Sequence, residues 1–336
     1  MIPETPRPLR LAVIGARRVR NGTGPFLALQ AVEAGLQVEG GIDVNAIWGT
    51  RPETAEDARQ WLAGKGLECD AFSDWDELVA AAAPDALIIA SPVGTHRDWL
   101  AMALDAGIHV FCEKPLLASS ISCPEAMCPV LERTAKEDHS DASRLAHAYS
   151  AMGLLLRETC QWPVVMNDFS RLHPEINLAS VTRFLMRMTP AGEGIERWIE
   201  MLSHPISLIQ AICPGPMELS GIQYIHDRVL EFQVVTANRT LDCAVELVDQ
   251  DVWPRPAEFS LDGALIRREI EQPGYKFFFS DGDGNRIDGE DPMPRAVLNF
   301  LNELKKVKQS GSAPVDENLI RRQAILAELL EARLQG

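Results

Sequence analysis

The stretch Leu9-Arg10-Leu11-Ala12-Val13-Ile14-Gly15-Ala16-Arg17-Arg18-Val19-Arg20-Asn21-Gly22-Thr23-Gly24-Pro25 decides the fold. Its first six residues form an apolar run of buried-strand length that stops at Gly15. Beyond Pro25, the residues Phe26, Leu29, Val32 and Leu36 step by three, three and four, which predicts one apolar helical face. Pro25 suits the first helical turn, where a missing N–H leaves no bond unmade. Strand, glycine turn and helix in this order open a βα unit.

The pattern repeats. A strand over 44–48 precedes a helix over 52–63 with Ala55, Ala58 and Leu62 on one face. A third apolar strand over 86–90 is stopped by Ser91-Pro92. A helix over 95–106 then runs through Gly107 into a strand over 109–112. Strands alternating with helices imply a doubly wound parallel sheet, an α/β Rossmann domain assigned to residues 1–149.

Past Tyr149 the texture becomes strict alternation, the mark of strands with one covered face. Phe184, Met186 and Met188 alternate with Arg183 and Arg187, and Leu230, Phe232 and Val234 with Glu231 and Gln233. Leu241, Cys243, Val245 and Leu247 alternate with Asp242 and Glu246. Asp262-Gly263 is a hairpin signal. Two late helices follow, one marked by Val297, Phe300, Leu301 and Leu304, the other by Leu326, Leu330 and Leu334 after a cap at Asp316. Residues 150–336 therefore read as an α+β domain with a large, mostly antiparallel open sheet, for substrate binding and oligomerisation.

Composition limits the partners. The net charge of -16 repels phosphodiester backbones and anionic lipid, so nucleic acid and membrane are not expected and a small molecule is. No apolar run reaches the roughly 20 residues that span a bilayer. Residues 1–10 hold Pro3, Glu4, Pro6 and Pro8 and read as a short loose arm rather than a signal peptide. Seven scattered cysteines (Cys69, Cys112, Cys123, Cys128, Cys160, Cys213 and Cys243) include no C-x-x-C pair, which fits reduced thiols in the cytoplasm. Asp281-Gly282-Asp283-Gly284-Asn285 imitates a calcium loop, yet Arg286 and Pro292 occupy the positions that need glycine and glutamate. A polar hairpin turn is expected there, and no metal.

A dinucleotide site needs glycine where backbone N–H groups and a helix start approach the pyrophosphate. Only the context is right here: arginines stand where the second and third glycines of G-x-G-x-x-G would be, and Gly22 and Gly24 come later in a longer loop. Gly15, Ala16, Arg17, Arg18, Gly22, Thr23 and Gly24 are the cofactor candidates of this loop. The arginines are equally consistent with solvated surface. After the second strand, Gly49-Thr50-Arg51 lacks the acid that accepts ribose hydroxyls in NAD sites, so Thr50 and Arg51 favour NADP over NAD. Asp43 lies too early to substitute.

Glu113-Lys114-Pro115 directly after a strand, together with Ser91-Pro92-Val93-Gly94-Thr95-His96 after another, resembles the glucose-fructose oxidoreductase, inositol dehydrogenase and rhizopine catabolism family, Gfo/Idh/MocA. The resemblance implies that Ser91, Pro92, His96, Glu113, Lys114 and Pro115 lie at the cofactor and that Lys114 reaches the active site. It also implies a D-x-x-x-H helix, matched here by Glu200-Met201-Leu202-Ser203-His204 with glutamate for aspartate. Lys114, His204 and Glu200 are the catalytic candidates: Lys114 or His204 as base, Glu200 orienting the imidazole from one turn away. Lys114, His147, Tyr149 and His204 are the substrate candidates. Relatives that act on sugars often carry an aromatic-Arg-Phe stretch after the last Rossmann strand, and 146–152 offers no arginine.

The resulting expectation is an NAD(P)-dependent oxidoreductase, with its site in the cleft between the domains. It would transfer hydride between nicotinamide and a secondary alcohol of a sugar, polyol or cyclitol. Imine or enone reduction on the same scaffold, and a catalytically silent NAD(P) sensor, are the alternatives. An uncovered face of the second sheet implies a homodimer or homotetramer.

Overall fold

The computed structural model describes residues 7–18, 23–118, 135–250, 252 and 254–335. These form two compact units: the described parts of Met1–Thr159 with Met293–Ile320, and of Cys160–Pro292 with Arg321–Gly336. The expected boundary at 149/150 is thus displaced to Thr159/Cys160, because one more strand follows Tyr149. The first of the two late helices also belongs to the first unit.

In that first unit, strands β1 (Leu9–Ile14), β2 (Ile42–Trp48), β3 (Asp70–Phe72), β4 (Ala86–Ile89), β5 (His109–Cys112) and β6 (Leu156–Glu158) form one sheet in the order β3-β2-β1-β4-β5-β6. Every pairing in it is parallel. Helices α1 (Gly24–Gly35), α2 (Pro52–Ala63), α3 (Trp75–Ala82), α4 (His96–Asp105), α5 (Ala135–Ala151) and α8 (Pro292–Ser310) cover it.

Alternation along β1 divides two cores. Leu11 and Val13 face Leu27, Ala28 and Ala31 of α1, Leu62 of α2, and Val297, Phe300, Leu301 and Leu304 of α8. Ala12 and Ile14 face Leu78, Leu100, Ala103 and Tyr149. Phe300 stacks on Phe111 with ring centroids 4.9 Å apart, which fixes α8 to this sheet.

Two differences from the sequence expectation are local. Phe26 and Leu36, expected on the buried face of α1, are 48% and 84% exposed, while Leu27, Ala28 and Ala31 are buried. The helix lies so close to the sheet that small residues must face it. The sequence pattern also omits β3 and α3, since a three-residue strand carries no periodicity to read.

The second unit is an eight-stranded sheet built from β7 (Arg183–Met188), β8 (Glu218–Ile225), β9 (Val229–Val235), β10 (Thr240–Leu247), β11 (Ala257–Leu261), β12 (Ala264–Glu271), β13 (Lys276–Ser280) and β14 (Arg286–Asp288). The order is β14-β13-β12-β11-β7-β10-β9-β8, antiparallel except where β10 meets β7. Phe184, Met186, Leu230, Phe232, Cys243 and Val245 point inward as their alternation requires. Helices α6 (Met166–Leu172) and α7 (Gly194–Ile212) belong to this unit.

Asp262 and Gly263 both take positive φ (49° and 92°) in the two-residue turn between β11 and β12. The Asp281 carboxylate accepts N–H bonds from Asp283 and Asn285 at 2.9 Å each and closes the turn between β13 and β14 as a polar hairpin. Asp316 accepts the Leu319 N–H at 2.9 Å and caps α9 (Glu317–Gln335). The Leu334 side chain, Cys123, Cys128 and Gly22 lie outside the described residues; the five other cysteines are free thiols.

Candidate active site

In the order β3-β2-β1-β4-β5-β6, chain direction across the sheet reverses between β1 and β4. Such a reversal opens a crevice at the carboxyl ends of those strands. Gly15 after β1, Gly49 after β2, Ser91 after β4 and Glu113 after β5 all lie on that edge.

The glycines are there because nothing larger fits. Gly15 has φ +119°, and a Cβ on it would lie 2.6 Å from the Ala90 carbonyl oxygen. A Cβ on Gly24, the first residue of α1, would lie 1.9 Å from the Gly15 carbonyl oxygen. Gly24 therefore lets the positive end of α1 close against the turn. Thr23 precedes it without capping the helix through its side chain.

The remaining loop candidates divide. The Ala16 side chain is buried beneath Gly49, where a Cβ would come within 3.0 Å of it, so only its backbone is available to a ligand. Arg17 is exposed. The Arg18 guanidinium lies 5.8 Å from the Trp61 ring centroid, a ring shared with Lys65. Trp61 is nine residues along α2 from Pro52, about 13 Å from that helix's start. The structure thus gives Arg18 an aromatic partner on α2. Thr50 and Arg51 are exposed beyond β2, with Arg51 at the start of α2. Asp43 sits at the opposite end of β2, in register with Arg10.

His96 is buried and acts as a staple. Its Nε2 lies 2.9 Å from the Ser91 carbonyl oxygen, and its Nδ1 lies 3.1 Å and 3.2 Å from those of Pro115 and Leu116. Burial pushes its pKa down. His96 thereby joins the loop after β4 to the loop after β5. The Thr95 hydroxyl oxygen lies 2.8 Å from Ser91 Oγ and from the Pro92 carbonyl oxygen, tightening the first of these loops.

The second loop is held from β6 as well: Leu116 donates its N–H to the buried Glu158 carboxylate at 3.1 Å. Lys114, half-buried, is joined to Pro115 by a cis peptide. Burial raises the pKa of Glu113, and the Lys114 ammonium opposes that shift.

Two substrate candidates fall elsewhere. Tyr149 is fully buried and donates its hydroxyl to the Leu100 carbonyl at 2.7 Å. His147 is exposed and bonds the Ser143 carbonyl oxygen one turn back at 2.8 Å. Both lie on α5, whose end feeds the amino end of β6, the sheet edge opposite the crevice. The segment after the last Rossmann strand is Thr159-Cys160-Gln161-Trp162, not 146–152.

In the second unit, His204 is buried in α7, followed by Pro205 within the helix. Trp162 meets its ring edge-on at 6.4 Å. Glu200, expected to orient this imidazole, accepts N–H bonds from Ala191 and Gly192 at 2.8 and 2.9 Å and pairs with Arg255 at 3.3 Å. Its carboxylate anchors the loop that opens α7. Sequence reasoning missed Trp162 and Arg268, whose guanidinium lies 5.7 Å from the Trp162 ring centroid. Position directly after β6 was the one signal for Trp162; Arg268 carried none.

Residues 9–138 match the family model described as oxidoreductase family, NAD-binding Rossmann fold, of the Gfo/Idh/MocA proteins. The chain is 31% identical over 115 residues to an inositol 2-dehydrogenase of Klebsiella pneumoniae (strain 342), covering 34% of this chain and 31% of that protein. It is 30% identical over 122 residues to D-xylose 1-dehydrogenase (NADP(+)) 2 of Haloferax volcanii, covering 33% and 38%. The chain thus spans about a third of the length of these curated relatives. Its fold is similar to that of KijD10, a 3-ketoreductase from Actinomadura kijaniata solved with NADP, at TM-score 0.65, 20% identity and 98% of both chains. Through residues 9–138, this chain is similar to the Gfo/Idh/MocA family of oxidoreductases.

Proposed function

We propose that the chain is an NAD(P)-dependent oxidoreductase that transfers hydride between nicotinamide and a secondary alcohol or ketone of a sugar, polyol or cyclitol-like substrate, with NADP preferred. The observation that carries this is the crevice edge of the first unit. There the Gly15–Gly24 contact admits no side chain, and the Lys114 loop is fastened by His96 and Glu158. This fits a bound dinucleotide: Gly15 and Gly24 leave backbone room for pyrophosphate, and Thr50 and Arg51 offer no carboxylate to repel a 2'-phosphate.

The nicotinamide, when bound, supplies the hydride acceptor or donor. Lys114 and His204 are the groups that hold or take the hydroxyl proton of the substrate, a role that needs a base beside the reacting carbon. Glu200, one helical turn before His204, orients or charge-stabilises the imidazole while also anchoring the loop that opens α7.

Among the described residues no helix is long and apolar enough to cross a membrane. The face of the second sheet away from its core carries rows of paired charges, Arg187 with Glu246 and Glu258, and Arg267 with Glu258. A second copy of the chain docked there forms the homodimer or homotetramer of this proposal, in the cytoplasm.

The test is kinetic. A polyol and cyclitol panel is followed through nicotinamide absorbance, and Lys114→Ala and His204→Ala should each lower kcat by about 10²–10⁴-fold while leaving coenzyme affinity within about threefold. Parental turnover in both variants refutes the assignment.

A further inference from the structure

Three arginines of the second sheet pair with carboxylates: Arg187 with Glu246, Arg267 with Glu258, Arg286 with Glu269 and Glu271. Arg268 differs from all of these. It lies opposite Ala257 in the β11–β12 register and so shares a side of the sheet with the core residues Phe259 and Ile266. One guanidinium N–H donates to the Arg255 carbonyl at 2.7 Å, and the Nε is buried without a hydrogen bond. Among the described residues no carboxylate reaches it within 4.0 Å. Burial opposes its charge, and Asp291 favours it from farther away.

Arginine stays protonated in folded proteins, so this charge is permanent. A largely desolvated cation without an anion is unfavourable until one arrives. The residue retains some exposure, so an anion has a route to it. Trp162 connects this cation to the candidate base: its ring meets the Arg268 guanidinium at 5.7 Å and the His204 ring at 6.4 Å. Fold and hydride chemistry do not require such a cation, and a neutral polyol gives it nothing to bind.

We infer that Arg268 receives an anionic oxygen group, a carboxylate or a phosphate ester, on the polyhydroxylated substrate, so that the enzyme acts on an acidic sugar or cyclitol in preference to its neutral counterpart. This rests on the proposed function, in which His204 faces the reacting alcohol. The planar fork of the guanidinium suits both groups, and two N–H bonds to an anion fix the orientation of the ring that carries it.

The experiment compares D-glucose, D-glucuronate and D-glucose 6-phosphate, with matched neutral and acidic cyclitols, on the full chain and on Arg268→Met. Steady-state kinetics with NADP and thermal shift without coenzyme are both recorded. The acidic member should exceed its neutral counterpart in kcat/KM by about 100-fold or more, with carboxylate or phosphate identified by which arm responds. Arg268→Met should erase that ratio through KM, leave neutral substrates within about threefold, and abolish the thermal shift given by the acid.

Without ligand, Arg268→Met should melt at or above the parental temperature, because an unpaired buried charge has been removed. A lower melting temperature with an unchanged acid-to-neutral ratio would make Arg268 structural and overturn the inference. Neutral polyols turned over as well as acids overturn it too, while the oxidoreductase assignment stands. If neither class reacts and neither coenzyme binds, both fall together.

Discussion

Replacing Gly24 by alanine probes the turn most severely. The added Cβ would stand 1.9 Å from the Gly15 carbonyl oxygen and 2.9 Å from its carbon. Both are backbone atoms, so no side chain can swing aside, and α1 must retreat from β1 by more than about 1 Å to restore contact distance. Overpacking of this kind costs about 1–3 kcal/mol, of which alanine's better helix propensity returns at most about 1. A net loss of about 2 kcal/mol lowers the Tm by roughly 4–8 °C for a unit of this size.

Gly64→Ala is the internal control. Gly64 has φ -64° at the end of α2, and its Cβ would meet the Trp61 carbonyl oxygen at an ordinary 3.5 Å, so stability should hold or rise by up to about 1 kcal/mol. Scanning fluorimetry reads both variants, and calorimetry with NADP follows. Gly24→Ala should also weaken coenzyme by about tenfold or more, because the first-turn N–H groups of α1 move away from the pyrophosphate. Parental melting and parental coenzyme affinity in Gly24→Ala would refute the reasoning.

Three further expectations are independent of it. Tyr149→Phe should cost about 1 kcal/mol by removing the hydrogen bond to Leu100, with KM and kcat for every substrate unchanged; a raised KM would return Tyr149 to the substrate. His109 is buried, with Lys308 nearby, and its pKa is held down to about 4 while its Nδ1 accepts the Leu155 N–H. As pH falls from about 6.5, where the unfolded imidazole titrates, toward about 4, the unfolded chain takes up a proton that the folded one resists. Stability fully present above about pH 6.5 is thus lost by on the order of 3 kcal/mol, and urea denaturation of His109→Gln should show that much less acid sensitivity. Arg51→Ala should weaken NADP about tenfold or more by calorimetry and leave NAD unchanged, the outcome expected if the guanidinium meets a 2'-phosphate.

Much of the first unit was legible because long elements carry long patterns. The β1 run, the Ser91-Pro92 stop and the strand before Glu113 all announced themselves, and Gly24 was visible as a late glycine. The face of α1 was misjudged because periodicity counts large apolar residues, whereas a helix pressed on a sheet buries Ala28 and Ala31 and leaves Leu36 outside. The last strand was missed because Leu156–Glu158 is only three residues long and contains Arg157, and with it went the position of Trp162. Glu200 and His204 stand one turn apart, as spacing requires. Spacing could not reveal that the loop at Ala191 and Gly192 would take the carboxylate. Arg268 shows the converse limit: next to Arg267 in a strand it reads as one of two surface charges, and only register places it inward.

The most direct test of the central claim is a calorimetric titration of the full chain with NADP and then with NAD. The Gly15–Gly24 turn and the acid-free end of β2 predict one site per chain, with NADP bound the more tightly. Heat from neither coenzyme would contradict the assignment of this crevice, whatever the fold resembles.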